Sequence, residues 1–247
     1  MTTATLYPSE DAGIHESDPD KNYGSETSMS VEDYGTYEDR AYIEFNISSI
    51  PSDVTISSAV LHLLEVFGND RADTIRFQRT TSQFDEHTIT WNSNKPSTTA
   101  TNQVDASISG SGGWHTIDLT DMFRDAHDAN LSYFGVYMRS LTSNGNHAFE
   151  TKEGTHDPYL VVTYTITSYD EIYVKLTGND SNDGTSWDTA KQTIKAGLET
   201  VAVNGTLHIA FGDYSSQDAI TLDKTVSLLC ENEGGGGTGT VVLPPTT

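Results

Sequence analysis

The chain has 247 residues, of which 35% are hydrophobic and 20% are charged. Its 36 acidic and 13 basic residues give a formal net charge of −23. This charge repels phosphate backbones and anionic membranes, so the composition argues against a nucleic-acid partner. It suits calcium, which prefers oxygen ligands, although a solvated surface that keeps the protein soluble explains the acidity equally simply.

Cysteine content and hydropathy bear on disulfide bonds, membrane spans and signal peptides. Cys230 is the only cysteine, so the chain forms no internal disulfide. No apolar run reaches the roughly 18 residues of a membrane-spanning helix, so we expect no membrane span. The first residues lack the basic and apolar regions of a signal peptide, so the protein is either intracellular or has had such a peptide removed.

The chain opens with a short strand near Ala4 and an acidic segment that runs to Ile14. A polar loop, Asp18–Gly24, follows, and then a segment with the composition of a strand at Ser28–Glu32. Glycine and acidic residues at 33–39 predict a turn before Arg40.

The stretch Arg40–Leu64 predicts two strands at the centre of an all-β domain. Polar and apolar residues alternate with a period of two at 42–47, which is typical of a strand with one buried face. The strand ends before Pro51, which cannot donate a hydrogen bond to a sheet. A second strand covers 54–64, and its alternation breaks step at 57–58.

The remaining strands are short and separated by turns, a pattern that indicates a β-sandwich. We expect a short helix at 121–129, with Thr120 as its N-cap and with Met122 and Phe123 facing the core. The predicted strands after residue 64 are, in chain order, 74–80, 114–119, 133–139 and 157–164.

Several of these segments together resemble the DNRLRE domain, also called the disaggregatase-related domain, over about residues 4–166. The matching features are Arg40 with the strand that ends Phe-Asn-Ile-Ser, the Ile-Pro corner at Pro51, and the Ile-Ser-Ser-Ala-Val-Leu run that begins at Ile56. The segment 84–92 matches a family pattern that ends Thr-x-Thr-Trp-Asn, with Phe84 in place of a tryptophan. The closing features are Phe-x-Thr-x-Glu at 149–153 and Pro-x-Leu-x-Val-x-Tyr at 158–164. The resemblance implies an extracellular, carbohydrate-binding-module-like fold, an antiparallel jelly-roll-like β-sandwich over residues 1–166.

The resemblance also implies a structural calcium ion, because jelly-roll carbohydrate modules often use one to tie the first strand to the last. The matching positions are Asp11, near the start, and Glu153, in the closing segment. The alternatives are that both acids face solvent or pair with Arg40 or Arg139.

Two tryptophans are candidates for carbohydrate binding, since an aromatic face packs well against a pyranose ring. Trp114 begins a predicted strand. Trp91 belongs to the family pattern itself, which favours a position in the rim or core of the sandwich.

Residues 170–247 follow a boundary at 165–170 and have a different pattern. A strand and a Gly/Asn/Asp loop at 172–187 precede a segment with helical spacing at 189–201. Short apolar strands are then predicted at 206–211, 219–222, 226–229 and 241–243. This order is similar to the N-terminal cap and first coils of a pectate-lyase-like right-handed parallel β-helix. A tail of about 80 residues provides only a cap and one or two coils, so we expect this domain to be incomplete or completed by another chain.

No catalytic signature is present, neither a nucleophile elbow, nor a zinc motif, nor a phosphate-binding glycine loop. We therefore predict a noncatalytic extracellular module that binds a cell-surface or matrix polysaccharide, with a sandwich stabilised by calcium. One alternative is a structural surface or filament protein that self-assembles into a homo-oligomer through the open end of the β-helix. The other is a fragment of a polysaccharide-degrading enzyme.

Overall fold

The structure of the protein is a computed structural model that describes residues 1–52, 54–68, 70–166, 168–233 and 239–246. The chain forms two compact units, the first from residues 1–52 and 56–165 and the second mainly from residues 166–247. Thr167, within the boundary predicted from the sequence, lies outside the described residues. Neither helix of the described residues is long and apolar enough to cross a membrane.

The first unit is an all-β domain built on one curled antiparallel sheet, as the sequence predicts. The main path of the sheet has the order β1-β11-β5-β10-β3-β4-β9-β6-β7, while β2 pairs with β4 and β8 pairs with β5. The strands are β1 Thr2–Leu6, β2 Pro8–His15, β3 Ser28–Asp33, β4 Glu38–Asn46, β5 Val54–Gly68, β6 Asp73–Thr80, β7 Thr98–Ile108, β8 Gly113–Asp118, β9 Tyr133–Ser140, β10 Gly145–Glu150 and β11 Tyr159–Ile166.

Strand β4 is buried on both faces, so the prediction of one exposed face is wrong. Tyr42 and Glu44, on the face predicted to be polar, are only 3% and 1% exposed. β4 is a central strand that pairs with β2 and β9, and its second face is covered by the segment that contains Phe84 and Ile89. The period-two alternation of β4 therefore distinguishes its two faces, but neither face is exposed to solvent.

Strand β5 runs unbroken from Val54 to Gly68, and its burial confirms the step in alternation. Ile56 is buried, the next buried residue is Ala59, and every second residue from there to Glu65 is buried. The alternation thus continues into a buried carboxylate, which the sequence analysis did not identify.

The helix of the first unit, α1, spans Thr120–Asp128 and buries Met122 and Phe123 as expected. Its N-cap residue is Leu119 rather than Thr120, and no side chain caps it. The Thr120 hydroxyl instead donates to Asp118 Oδ1 and accepts from the Ala59 amide. This bond ties the start of α1 to strand β5.

Two strands were missed because their sequences are polar. β7 contains few apolar residues, and only Ile108 of its eleven residues is buried. The acidic segment up to Ile14 is strand β2, whose later residues are buried against β4. An edge strand gains its stability from pairing, so composition alone does not reveal it.

The second unit contains parallel strand pairs and one short helix. β13 pairs in parallel with β12 and with β15, and β14 pairs in parallel with β16. A core that includes Ile172, Leu198 and Tyr214 lies inside these strands. The elements are β12 Tyr169–Val174, α2 Ile194–Thr200, β13 Val201–Ala210, β14 Gly212–Asp213, β15 Ser227–Glu231 and β16 Val241–Val242.

The helix predicted at 189–201 is shorter than its apolar spacing suggests. α2 begins only at Ile194, because Thr193 is its N-cap and accepts a hydrogen bond from the Ala196 amide. Lys191 is buried and forms a parallel bridge with Val174, so this part of the segment is extended. The strand predicted at 219–222 is reduced to one bridge, from Ile220 to Thr246.

Candidate functional site

One segment after β6 covers the second face of the sheet and shapes the candidate site. Phe84 and Ile89 pack with Tyr42 and Tyr137 in a buried cluster, and Trp91 lies at its margin. The ring centroids of Tyr42 and Tyr137 are 5.1 Å apart, and those of Tyr42 and Phe84 are 5.7 Å apart. This packing fixes the wall of an open cleft beside the cluster.

The cleft has a volume of about 440 Å³ and is lined by four cationic side chains. Two buried tyrosines, a glutamine and the Pro96–Thr98 segment complete its lining. The four cations are nearly a third of the 13 basic residues of the chain, gathered in one place on a protein of net charge −23. They are Arg40, Arg76, Lys95 and Arg139.

Sheet register brings these side chains to one face. Tyr137 on β9 lies opposite Tyr42 on β4 and opposite Gln78 on β6. In the next row, Arg139 lies opposite Arg76. Residues directly opposite each other in antiparallel strands share a face, so three strands present one polar surface.

The four cations differ in how far they are neutralised. Arg76 forms a two-hydrogen-bond pair with Asp105, and Arg40 bonds to Glu38 in the same way with two of its nitrogens. Arg139 and Lys95 form no ion pair with any residue that the structure describes. Burial and the neighbouring Arg40 lower the pKa of Lys95. An anion entering the cleft would therefore meet two unpaired charges.

The first unit coincides with a known family of sugar-binding modules. Residues 2–164 match the model of carbohydrate-binding module family 96. The chain belongs to this family. A family 96 module is a non-catalytic binding module, which agrees with the absence of a catalytic motif in the sequence. No curated protein matches the chain.

Several solved structures match the chain at low similarity, and three of them are a galactanase, a carbohydrate-binding module and a xylanase. An exo-β-1,3-galactanase from Phanerochaete chrysosporium, bound to β-1,3-galactotriose, is 9% identical, with a TM-score of 0.28 over 66% of this chain and 30% of that one. A family 35 carbohydrate-binding module from Clostridium thermocellum is 12% identical, with a TM-score of 0.24 over 66% of this chain and 98% of the module. The N-terminal modules of an endo-1,4-β-D-xylanase from Clostridium thermocellum, bound to xylohexaose, are 10% identical, with a TM-score of 0.27 over 84% of this chain and 35% of that one. The chain thus spans a minor part of the galactanase and of the xylanase.

Trp91, a predicted carbohydrate-binding candidate, lies beside the cationic cleft of the family 96 module. It is half-buried against the aromatic cluster. The guanidinium carbon of Arg40 lies 4.6 Å from its ring centroid and the ammonium of Lys95 lies 4.9 Å away. Trp91 therefore both completes the core, as its place in the family pattern suggests, and positions two cations of the cleft.

Trp114, the other candidate, does not line the cleft and lies among other aromatic side chains. It is 46% exposed, and its ring centroid is 5.5 Å from that of Tyr159. Tyr159 stacks on His62 at 4.3 Å and lies 6.4 Å from the exposed Tyr7. We call Tyr7, His62, Trp114 and Tyr159 the aromatic surface.

The structure brings Asp11 and Glu153, the predicted metal ligands, to the same place. Together with Glu86, they offer carboxylate oxygens that all lie within 4.8 Å of one another. Asp11 is fully buried, and Asp11 Oδ1 and Glu153 Oε2 have no hydrogen-bond partner among the described residues. We call these three residues the acidic cluster.

Lys152 is the counterion of this cluster in the structure. Its ammonium donates to Glu86 Oε1 at 2.6 Å and to Glu153 Oε1 at 2.7 Å, while its amide donates to Asp11 Oδ2 at 2.9 Å. Neither acid pairs with Arg40 or Arg139, so that alternative is wrong. Burial lowers the pKa of Lys152, but its bonds to Glu153 and Glu86 outweigh burial and hold that pKa above its usual range.

Burial, together with the carboxylates of Glu153 and Glu86, raises the pKa of Asp11 to about 7, against the opposing effect of the Lys152 amide and ammonium. Asp11 is thus a buried carboxylate with an unpartnered oxygen, and two further carboxylates lie beside it. A divalent cation bound there would neutralise their mutual repulsion. The acidic cluster therefore fits calcium, provided that the ammonium of Lys152 yields its place.

Sequence reasoning missed Glu86 and the four cations of the cleft. Glu86 is only two residues from Phe84 and lies within the family pattern. The sequence therefore identified its position but not its role as a third carboxylate of the cluster. Arg76 and Arg139 belong to predicted strands and alternate with apolar neighbours, which places them on the outer face. That the two strands are neighbours follows only from the sheet order.

Proposed function

We propose that the protein is an extracellular module that binds an acidic polysaccharide in the cationic cleft of its family 96 domain. The observation that carries this proposal is the gathering of four cations and two tyrosines in one cleft of a strongly acidic protein. A neutral glycan needs no such concentration of positive charge. A polymer of uronic acids or of sulfated sugars provides repeated anionic groups that match it.

The side chains of the cleft have different roles in binding the polysaccharide. Arg139 and Lys95, which have no ion-pair partner among the described residues, bind carboxylate or sulfate groups of the polymer. Arg40 and Arg76, held by Glu38 and by Asp105, add positive charge from fixed positions. Tyr42 and Tyr137, which are only 3% and 5% exposed, form the buried floor of the cleft and support the cations above it.

Replacing Arg139 by glutamine should weaken binding of a polyuronate about tenfold, since a hydrogen bond to a charged group contributes about 1.5–3 kcal/mol. The matched control is Lys21→Gln, which removes one positive charge from an exposed side chain that does not line the cleft. Isothermal titration calorimetry with polygalacturonate oligosaccharides measures both affinities. An unchanged affinity of the Arg139→Gln protein would remove the cleft from consideration.

A calcium ion completes the proposal for the first unit. Asp11, Glu86 and Glu153 would hold it, and the two oxygens without partners, Asp11 Oδ1 and Glu153 Oε2, support this assignment. The ion would supply positive charge at a place where the first and last parts of the domain meet. Its role would be structural, because the acidic cluster and the cationic cleft share no residue.

A second candidate function is self-assembly through the second unit, which we propose to be the start of a parallel β-helix. The parallel pairing of β12, β13 and β15 supports this assignment. Among the strands that the structure describes, β15 is the outermost of its sheet, and its residues Ser227–Cys230 are all exposed, including Leu228 and Leu229 at 36% and 45%. An exposed apolar edge strand invites pairing with another chain.

Self-assembly predicts a difference between the full chain and a chain that ends at residue 166. Light scattering after size-exclusion chromatography should give an oligomer for the full chain and a monomer for the shortened one, because only the full chain has the exposed strand β15. A Leu229→Lys substitution should dissociate the oligomer, since a charge on an edge strand opposes pairing. A monomeric full chain at high concentration would exclude this function.

A further inference from the structure

A small pocket beside strands β2 and β4 contains a buried carboxylate that the cationic cleft and the acidic cluster do not use. Its volume is about 160 Å³, and no lysine, arginine or histidine lines it. The side chains that provide oxygen atoms to its lining are Ser9, Glu10, Glu44, Asn46, Gln83 and Ser132. We call it the Glu44 pocket.

Glu44 is only 1% exposed, yet one of its carboxylate oxygens lacks a partner. Its Oε1 accepts a hydrogen bond of 2.9 Å from the Gln83 side-chain amide. Its Oε2 accepts no hydrogen bond of normal geometry from the described residues, although the Phe84 backbone N–H faces the carboxylate. A buried ionised oxygen without a partner is costly, so the fold retains it only where something compensates it.

A second carboxylate lies directly across from Glu44. Glu10 on β2 is its Cα partner in the antiparallel register, and the register shifts between Pro8 and Glu10. Like charges placed directly opposite each other destabilise a sheet, and an irregularity of this kind redirects side chains. Glu10 Oε2 accepts from the Glu86 amide at 3.0 Å, which holds the Glu10 carboxylate in position.

The electrostatics agree with this geometry. Burial raises the pKa of Glu44, and the carboxylate of Glu10 raises it as well, whereas the Gln83 amide and the Phe84 backbone N–H lower it. Water can satisfy a lone pair but adds no charge, so it leaves the repulsion between the two carboxylates in place. A cation removes both costs.

We propose that the Glu44 pocket binds a divalent cation of the calcium type, through Glu44 Oε2 and the carboxylate of Glu10. Ser9, Ser132 and Asn46 line the same pocket, and hydroxyl and amide oxygens are ligands that calcium accepts. This site shares no residue with the acidic cluster, although Glu10 precedes Asp11 in the chain and accepts a hydrogen bond from the Glu86 amide.

Calorimetric titration of the chelator-treated full chain with calcium chloride alone tests this site, over the millimolar range in which extracellular modules bind the ion. We expect two calcium ions per wild-type chain and one for Glu44→Gln. The Asp11→Asn/Glu153→Gln double variant, which disables the acidic cluster, should also keep one. Glu10→Gln, which removes a partly exposed charge and can still accept from the Glu86 amide, should weaken the remaining site at least about tenfold.

Asp128→Asn is the control, because it removes one negative charge from a side chain that is 79% exposed on the same domain. It should keep both ions. Circular dichroism verifies that each variant is folded, and Glu10→Gln keeps the test decisive if Glu44→Gln unfolds. An unchanged stoichiometry in both Glu44→Gln and Glu10→Gln overturns the proposal, as does a double variant that is folded and binds no calcium. A parallel titration with an amine such as ethanolamine tests the other kind of cation. If the amine binds in the pocket and calcium does not, the proposal also fails.

Discussion

Replacing His147 by leucine should destabilise the first unit by about 3–5 kcal/mol, the usual cost of removing one partner from a buried ion pair. His147 is fully buried on β10 between two fully buried carboxylate side chains. Its Nδ1 lies 2.6 Å from Glu65 Oε1 and its Nε2 lies 3.0 Å from Asp73 Oδ2. Each ring nitrogen therefore lies within hydrogen-bonding distance of a buried carboxylate oxygen.

The surrounding contacts make this loss difficult to repair. The second oxygen of Glu65 already accepts from the Gly112 amide and lies 2.9 Å from His115 Nε2. The second oxygen of Asp73 accepts two hydrogen bonds from Arg71. Leucine would fill most of the volume but would leave one oxygen of each buried carboxylate without its donor.

Thermal unfolding measures the effect. In a domain of this size each kcal/mol of destabilisation lowers the Tm by about 2–4 °C, so we expect the Tm to fall by roughly 10 °C. The matched control is His156→Leu, which removes a histidine whose side chain is 58% exposed and pairs with Glu150. An exposed ion pair contributes about 0–1 kcal/mol, so this variant should unfold close to the wild type. Equal melting temperatures for the two variants would show that the buried network contributes little.

Calcium bound at the acidic cluster should raise the stability of the first unit by about 2.7 kcal/mol at a concentration one hundred times the Kd of that site, because the folded state alone assembles the cluster. Excess chelator should reverse the increase. The ion would replace the ammonium of Lys152 as the counterion of Glu86 and Glu153 and would bind the free oxygen of Asp11. Differential scanning calorimetry in calcium and in chelator measures the difference.

This stabilisation should depend on pH through Asp11. Its pKa in the folded state is about 7, against an ordinary value of 3.8, so the metal-free fold holds a proton that the unfolded chain has lost. The contribution of Asp11 to the stability of the metal-free protein therefore decreases as pH rises from about 4 to about 7. Calcium binds the ionised carboxylate, so the effect of the ion should increase over the same pH range.

Lys152→Met provides the sharpest variant for the acidic cluster. Without calcium it should be less stable than the wild type, since Glu86 and Glu153 lose their counterion. With calcium it should recover and should bind the ion more tightly, because the competing ammonium is gone. If calcium changes the melting temperature of neither protein, the acidic cluster is a Lys152-neutralised structural site and no metal site.

The all-β fold of the first unit was predictable because it depends on local alternation and turn residues. The burial pattern of β5 follows its sequence residue by residue, including the step between Ile56 and Ala59. The same rule failed for β4, where Tyr42 and Glu44 alternate with apolar residues but are covered by a segment some forty residues later in the chain. Alternation identifies two faces, whereas which face meets solvent is decided by distant parts of the chain.

Polar strands and marginal helices were harder to predict. β7 has little apolar content and is held by its pairing with β6, which no local pattern records. The segment before Ile194 has helical spacing, yet the Thr193 cap starts the helix later and Lys191 pairs with strand β12 instead. Local propensity is a weak prior that tertiary contacts override.

The candidate sites were predictable only where a family pattern supplied the residues. Asp11 and Glu153 were expected to lie together and do so, whereas Glu86 joins them from a different segment. The cleft draws its cations from β4, β6, β9 and the loop before β7, four segments that are neighbours only in the folded sheet. The overall acidic composition of the chain does not reveal the local positive charge of the cleft.

The most direct test of the central claim compares one polymer in two chemical forms. Calorimetry should detect binding of the full chain to a polyuronate and should detect little or none once its carboxylates have been reduced to alcohols. Arg139→Gln should weaken the first interaction, and Trp114→Ala, on the aromatic surface, should leave it unchanged. Equal affinity for both forms, or binding that is lost in Trp114→Ala and kept in Arg139→Gln, would contradict the assignment of the cationic cleft as the site for an acidic polysaccharide.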